Sequence, residues 1–218
     1  MKWDWQWLIA PGSALWIFPM SLALGLALLA TRQPWRPVLH WWLALAVASA
    51  ITAASKIAFY AWGTGIRAWD LTCFSGHTVL ALSGWPVAAA LLAPPTRPRL
   101  RVALTVSGIA FALLIGFSRV ELRAHPWSEV IAGALLGGAV AAYALRTLRN
   151  HHLPISVSIT LLIAALATSQ LVPSHNYSKL LRTEDWFAQI GKTFSGSDKP
   201  VNRQQWRTAG QHDSRTNR

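Results

Sequence analysis

Acidic residues are scarce in this sequence of 218 residues, which has 20 Lys and Arg but only eight Asp and Glu. Four of these acids precede residue 173 and are scattered along the chain: Asp4, Asp70, Glu121 and Glu129. Divalent ions such as Mg²⁺ and Ca²⁺ are held by several oxygen ligands at once, and these acids form no such cluster in the sequence. We therefore predict a functional site that uses no metal ion and no other cofactor.

Cysteine and nucleic-acid-binding motifs are also scarce. The only cysteine, Cys73, excludes an intramolecular disulfide bond and leaves the redox compartment open. The formal net charge is +12, but Lys and Arg lie between apolar runs or in the C-terminal tail, a distribution that membrane topology explains. We expect no nucleic-acid partner. One Lys precedes the first apolar run and no small-residue cleavage pattern follows that run, so we also expect no cleavable signal peptide.

Apolar residues, by contrast, are abundant: 53% of the chain is hydrophobic and 13% is charged. Runs long enough to cross a bilayer recur at 13–30, 38–54, 76–93, 102–117, 126–145 and 155–172. The 13 Trp residues fit the interfacial belt of a membrane protein better than a base-stacking surface. We predict an all-α, polytopic membrane protein with six transmembrane helices over residues 1–172. Gly133 and Gly137, four positions apart, indicate close contact with a neighbouring helix.

Composition changes after residue 172. Residues 173–218 carry eight Lys or Arg and four Asp or Glu, with no sustained apolar period. Such a composition is typical of segments that bury little apolar surface. We predict a basic, weakly ordered C-terminal tail with one short helix near residues 184–190.

Counting six spans puts both chain ends on one side of the membrane, together with the polar segments around Lys56, His77 and His125. The loops on the other side carry the arginines between predicted helices, which are Arg32, Arg36, Arg97, Arg99, Arg101, Arg146 and Arg149. Loops rich in Lys and Arg stay in the cytoplasm. We therefore expect a site built from loops and helix ends on the periplasmic or extracellular face of the plasma membrane, which in a bacterium is the inner membrane.

Two polar motifs stand at the ends of the apolar runs. Ser75-Gly76-His77 opens the third run, while Ser118-Arg119 is followed by His125 and then by Glu129 at the start of the fifth. Charged residues beside hydrocarbon are costly and mark functional sites. Over residues 56–129 this combination resembles the integral-membrane members of the type 2 phosphatidic acid phosphatase superfamily, which share motifs with vanadium haloperoxidases.

The resemblance implies cleavage of a phosphate ester through a phosphohistidine, without a metal ion. His125 would attack phosphorus, and Glu129, one helical turn further on, would hold the proton on the other ring nitrogen. His77 would protonate the leaving oxygen and then activate water. In this sequence Glu129 stands where the family usually has Asp.

Binding of the phosphate group is expected of basic residues and of residues at a helix start. This set comprises Lys56, Arg67, Arg119, Ser75 and Gly76, with Ser118 orienting the neighbouring groups. Lys56 and Arg67 are further apart than in the family, and Ala68 replaces its Pro after the Arg. These two residues have an alternative interpretation as interfacial residues whose charged ends reach the headgroups.

The predicted activity is hydrolysis of a lipid phosphomonoester or pyrophosphate. By resemblance, the candidate substrates are undecaprenyl pyrophosphate, phosphatidylglycerol phosphate, phosphatidic acid and lipid A phosphate. The expected partners are this lipid phosphate and the membrane lipids, and the oligomeric state stays open. Two alternatives remain: a phosphotransferase that passes the group to another lipid, and an inactive relative that binds a lipid phosphate or serves in transport.

Overall fold

The computed structural model of the chain describes residues 5–154, 157 and 183–208. In these ranges the protein is helical, and an isolated bridge between Ile66 and Leu71 is the only β-type pairing. The predicted all-α fold class is therefore confirmed. The sixth predicted span, 155–172, lies outside the described residues apart from Val157, which is helical.

The α-helices are numbered here in chain order. They are α1 (Ile9–Gly12), α2 (Ala14–Ala30), α3 (Trp35–Trp62), α4 (Gly76–Leu91), α5 (Pro98–Glu121), α6 (Trp127–Thr147) and α7 (Thr183–Ser195). Short 3-10 helices cover Trp5–Leu8 and Arg67–Trp69, and residues 203–208 are also helical. Five predicted runs thus correspond to α2, α3, α4, α5 and α6.

Helix α3 is longer than its apolar run, which we predicted to end at residue 54. Residues 55–62 contain no Gly or Pro, so nothing breaks the helix before Gly63. Gly63 has φ 65°, the left-handed conformation in which helices commonly terminate. Lys56, predicted to lie just after this span, therefore lies inside α3.

Within the described ranges, three helices are long and apolar enough to cross a membrane by themselves: α3, α5 and α6. Residues Trp5–Gly12 and Ala14–Ala30, bent by 47° at their junction, make a fourth if the pair counts as one span. Many apolar side chains on these helices are exposed, including Val102 (62%) and Leu135 (73%). Water would penalise such a surface and hydrocarbon would not, so the helices indicate a membrane protein.

Helix α4 lies at the centre of the bundle, in contact with α1, α2, α3, α5 and α6. Its 16 residues span about 24 Å. Glycines let its neighbours approach: a Cβ added at Gly137 of α6 would lie 2.5 Å from the carbonyl oxygen of Val79. A Cβ added at Gly108 of α5 would lie 2.7 Å from that of Trp85. The close contact indicated by Gly133 and Gly137 is thus confirmed.

The largest apolar core lies where α2, α4 and α6 end and α3 begins. It is built around Trp41 and comprises Leu24, Leu28, Val38, Val87, Leu91, Ala144, Leu148 and Leu153. At this end Arg101 donates from one side-chain nitrogen to the carbonyl of His151 (2.8 Å) and from another to that of Leu148 (2.9 Å). The polar motifs lie at the opposite end, where α3 and α5 finish and α4 and α6 begin.

The described part of the tail packs at this second end. Helix α7 contacts α3, with Gly191 against the backbone of Tyr60 and Ala61. The Trp206 side chain is 6% exposed and donates its indole N–H to the carbonyl of Gly63 at 2.7 Å. The short helix predicted near residues 184–190 corresponds to α7. Residues 183–208 differ from a weakly ordered tail, because apolar and charged contacts attach them to the helix ends.

Candidate active site

His125 and Glu129 form a buried pair at the start of α6. Glu129 lies in the first turn of α6, whereas His125 lies two residues before the helix, ahead of the extended N-cap residue Pro126. His125 Nδ1 and Glu129 Oε2 are 2.5 Å apart, with His125 9% and Glu129 0% exposed. The backbone carbonyl of Glu129 also accepts the N–H of Ser75 at 3.1 Å, which joins the starts of α4 and α6.

The turn between α5 and α6 fixes the position of His125. The carbonyl of Arg119 accepts the N–H of Ala124 at 2.9 Å and the N–H of His125 at 3.2 Å. Arg123 has φ 53°, a left-handed conformation that is uncommon for a residue other than glycine. The tight turn therefore brings the imidazole back toward the end of α5.

The Glu129 carboxylate is surrounded by donors. Its Oε1 accepts the N–H of Thr72 at 3.1 Å, the hydroxyl of Thr72, and the N–H of Cys73 at 3.3 Å. Nη2 of Arg203 lies 3.0 Å from Oε1 and 3.1 Å from Oε2. These hydrogen bonds favour the ionised form of the buried acid, which can then hold a proton on His125 Nδ1.

Burial lowers the pKa of His125 below its ordinary value of 6.5. The hydrogen bond to Glu129 acts in the opposite direction, and the nearby charge of Lys56 lowers the pKa further. His125 is therefore neutral at pH 7. With its proton on Nδ1, the lone pair is on Nε2.

Lys56 and Arg119 are buried basic residues next to this pair, and His77, which is half-buried, lies beside them. Lys56 is 5% and Arg119 9% exposed, so neither is an interfacial residue reaching for the headgroups. Arg119, Lys56 and His125 are all close enough to His77 for their charges to act on it. His77 itself packs against Gly12 and begins the first turn of α4.

Several buried nitrogen atoms in this cluster have no hydrogen-bond partner among the described residues. They are Nε2 of His77 and both Nε and Nη1 of Arg119. Buried polar atoms are rarely left unpaired, because each costs free energy unless a ligand or water completes it. Their position beside Lys56 makes an anion the natural ligand.

Glu184 of α7 is the nearest carboxylate to these cations in the part of the chain that the structure describes. It pairs with Lys56 Nζ through Oε1 and accepts the Tyr60 hydroxyl at 2.8 Å through Oε2. Its charge also acts on Arg119 and His125. A tail carboxylate thus lies at the edge of the anion site.

The remaining predicted phosphate-binding residues are placed differently. Arg67 is exposed and stacks over the Trp206 ring at 5.6 Å, with no hydrogen bond to the buried cluster among the described contacts. Ser118 donates its hydroxyl to the carbonyl of Ile115 at 2.7 Å. Ser75 accepts the Thr78 hydroxyl at 2.9 Å, and Gly76 begins α4 beside Thr52. The predictions for these four residues stay predictions.

Three possible metal ligands, Cys73, His125 and Glu129, have atoms within 4.8 Å of one another. Burial and the charge of Glu129 raise the pKa of Cys73 to about 11, so its sulfur stays a protonated thiol. Arg203 Nη2 already lies 3.0 Å from Glu129 Oε1 and 3.9 Å from the Cys73 sulfur. A cationic guanidinium that already pairs with the Glu129 carboxylate at this distance does not fit a metal site there.

Sequence reasoning missed Thr72, Glu184 and Arg203. The acid and the arginine each come from the tail and meet partners 128 and 74 positions away, respectively. One local pattern in the sequence does indicate that this segment of the tail docks on the protein. Apolar and polar residues alternate over Thr183–Ser195 with the period of a helix, as they do in helices that dock on a surface.

The apolar helices indicate a membrane protein, and the buried cationic site at one end of the bundle suits an anion such as a phosphate group. Comparison with known families agrees: the model of the PAP2 superfamily matches residues 59–153. The chain belongs to the PAP2 superfamily, whose members are phosphatases acting on phosphate esters. The matched range includes Arg67, the Ser75–His77 motif, Arg119, His125 and Glu129, and begins after Lys56.

The chain is also similar to a curated protein from Klebsiella pneumoniae, described as an uncharacterized 22.5 kDa protein in the cps region. The two are 35% identical over 201 residues, which is 92% of this chain and 96% of that protein. No solved structure matches the chain significantly.

Proposed function

We propose that this protein is a membrane lipid phosphatase that hydrolyses a lipid phosphomonoester or pyrophosphate through a phosphohistidine at His125, without a metal ion. The observation that carries the proposal is the set of unpaired buried nitrogens of His77 and Arg119 next to Lys56 and the His125–Glu129 pair. A phosphoryl group would complete these donors, and it needs cations around its oxygens during transfer.

In the first step the lone pair on His125 Nε2 attacks phosphorus. The bond from phosphorus to the leaving oxygen breaks, and His77, in its protonated form next to the bound phosphate anion, gives that oxygen a proton. Glu129 holds the Nδ1 proton of His125 and stabilises the positive charge that the ring acquires. Lys56 and Arg119 neutralise the phosphoryl oxygens.

In the second step water attacks the phosphorus of the phosphohistidine. His77, now neutral, takes a proton from this water, and the bond from nitrogen to phosphorus breaks. Inorganic phosphate leaves, and His125 recovers its lone pair. The cycle consumes one water and returns every protein group to its starting state.

A lipid substrate suits the position of the site at the ends of apolar helices. A lipid in the bilayer can place its phosphate at this level while its chains stay in hydrocarbon. The arginine-bearing loops at the opposite end favour a cytoplasmic position for that end, so we place the site on the periplasmic or extracellular face of the plasma membrane.

Phosphate release from a panel of purified lipids tests the proposal. The panel contains the four candidate classes, namely undecaprenyl pyrophosphate, phosphatidylglycerol phosphate, phosphatidic acid and lipid A phosphate. The wild type should release phosphate from at least one, and a rapid acid-free quench should trap phosphate on His125. His125→Asn should abolish both signals while the protein stays folded.

Two other results would replace the proposal. A newly phosphorylated lipid in place of free phosphate would make the protein a phosphotransferase. Tight binding of a lipid phosphate with neither product would make it an inactive binding protein.

A further inference from the structure

Arg203 reaches Glu129 from the C-terminal tail. Its Nη2 lies 3.0 and 3.1 Å from the two carboxylate oxygens and 2.9 Å from the Thr72 hydroxyl. The guanidinium also lies over the Phe59 ring at 6.0 Å, and the side chain is 27% exposed. Nothing in the phosphatase motifs assigns this residue a role.

The contact matters because Glu129 is fully buried. A buried carboxylate without a nearby cation tends to take up a proton. A protonated Glu129 would donate to His125 Nδ1, and the imidazole would then carry its own proton on Nε2. In that tautomer the nitrogen that should attack phosphorus has no free lone pair.

We infer that Arg203 is a positioning residue for the reaction: it keeps Glu129 ionised and directed at His125 Nδ1, so that Nε2 stays free to act as the nucleophile. The chemical consequence rests on the proposed function. The tail is then a part of the active site, since it supplies the cation that faces the Glu129 carboxylate among the residues described.

Other residues of the tail attach it to the helix ends. Arg207 donates to the Asp70 carboxylate at 2.8 and 2.5 Å on the exposed surface. Trp206 is buried against Gly63. Arg203 is therefore not needed merely to dock the segment, and Arg207 offers a matched control in which a tail arginine loses its acidic partner away from His125.

The experiment compares Arg203→Met, Arg203→Lys and Arg207→Met in the full-length protein. It measures kcat and KM for phosphate release, together with the ¹⁵N chemical shifts of the His125 ring in detergent. Arg203→Met should lower kcat about ten- to a hundredfold with little change in KM, since a hydrogen bond to a charged group is lost. The ring should shift toward the Nε2–H tautomer.

Arg203→Lys should recover part of kcat and part of the population of the Nδ1–H tautomer. Lysine keeps the positive charge but lacks the planar set of N–H donors of the guanidinium. Arg207→Met should resemble the wild type in both measurements. If Arg203→Met does not fold, Arg203→Gln replaces it, because Gln keeps a donor and removes the charge.

An unchanged His125 tautomer in the variant without the charge would overturn the inference and leave Arg203 as a docking residue. A uniform loss in all three variants would do the same. If the wild type releases no phosphate from any lipid, the proposed function fails, while the ring nitrogen shifts still decide what Arg203 does to His125.

Discussion

At the scale of single residues, the contacts of the Glu129 carboxylate require its negative charge. Among the residues that the structure describes, every side chain and backbone group that bonds to its carboxylate is a donor: Thr72, Cys73, His125 and Arg203. An amide would present an N–H₂ group to at least one of these donors, and it would also lose the negative charge that stabilises the imidazolium.

Glu129→Gln should therefore lower kcat/KM at least about tenfold, because charge-assisted hydrogen bonds of this kind are lost together. Phosphate release by the purified variant measures the effect. Glu121→Gln, which removes an exposed acid at the end of α5, is the control and should match the wild type. Equal activity of the two variants would make Glu129 a helix-start acid without a role in the reaction.

The lowered pKa of His125 sets the acid limb of the pH profile. The ring is nucleophilic only when neutral, so activity is lost as pH falls through its folded-state pKa. Because burial holds this pKa below 6.5, the acid midpoint of kcat/KM in the free enzyme should lie below pH 6.5. A midpoint above pH 6.5 would show that Glu129 outweighs burial.

At the scale of helices, the contact between α4 and α6 depends on glycine at the contact itself. Gly137 faces the backbone of α4, where an added Cβ would lie 2.5 Å from a carbonyl oxygen. Gly138, the next residue on the same helix, has nothing within 4 Å of an added Cβ. Alanine substitutions at these two positions therefore distinguish the effect of helix packing from the effect of helix propensity.

Gly137→Ala should destabilise the protein by about 1–3 kcal/mol, the usual cost of overpacking, because backbone must move to admit the methyl group. Gly138→Ala should be neutral or stabilise by up to about 1 kcal/mol, since alanine favours the helix. Thermal unfolding in detergent compares the two. A larger loss for Gly138→Ala would contradict the packing described for α4 and α6.

Helix α7 brings Glu184 to Lys56, a residue expected to bind the phosphate. If the substrate phosphate and the Glu184 carboxylate both bind Lys56, the substrate must displace the carboxylate. Glu184→Gln should then lower KM about three- to tenfold. Inhibition by vanadate, a mimic of the phosphoryl group, should tighten in parallel. Asp198→Asn removes the same charge from an exposed position and serves as the control. A raised KM in Glu184→Gln would show instead that the pair holds Lys56 in place.

At the scale of the whole molecule, the proposed reaction uses side-chain cations where other phosphatases use metal ions. The basic residues buried at the site end, Lys56 and Arg119, face few acids, and the Glu129 carboxylate is already occupied by donors. Phosphatases with two metals instead surround their ions with several carboxylates.

Phosphate release should therefore persist in excess EDTA at a rate within about twofold of the untreated protein, because no step of the proposed reaction uses a divalent ion. The measurement is a rate before and after chelation on the same lipid. Loss of activity that returns on addition of magnesium would contradict the metal-independent mechanism.

The sequence by itself determined the features that depend on neighbouring residues. Apolar runs fixed the helical class and the approximate positions of α2 to α6, because burial in hydrocarbon follows from run length. The spacing of His125 and Glu129 indicated that the two side chains pair, and they meet at 2.5 Å, although His125 lies in the turn before α6 and not on the helix itself. The motifs and the composition likewise indicated the phosphatase superfamily.

The tertiary structure decided what lies between distant parts of the chain. It placed Lys56 inside α3, brought Glu184 to Lys56 across 128 positions, and brought Arg203 to Glu129 across 74. No local pattern encodes such pairs, because they depend on how the helices pack and where the tail docks. Sequence periodicity reports which face of an element is apolar, whereas only packing decides which charged group meets a buried partner.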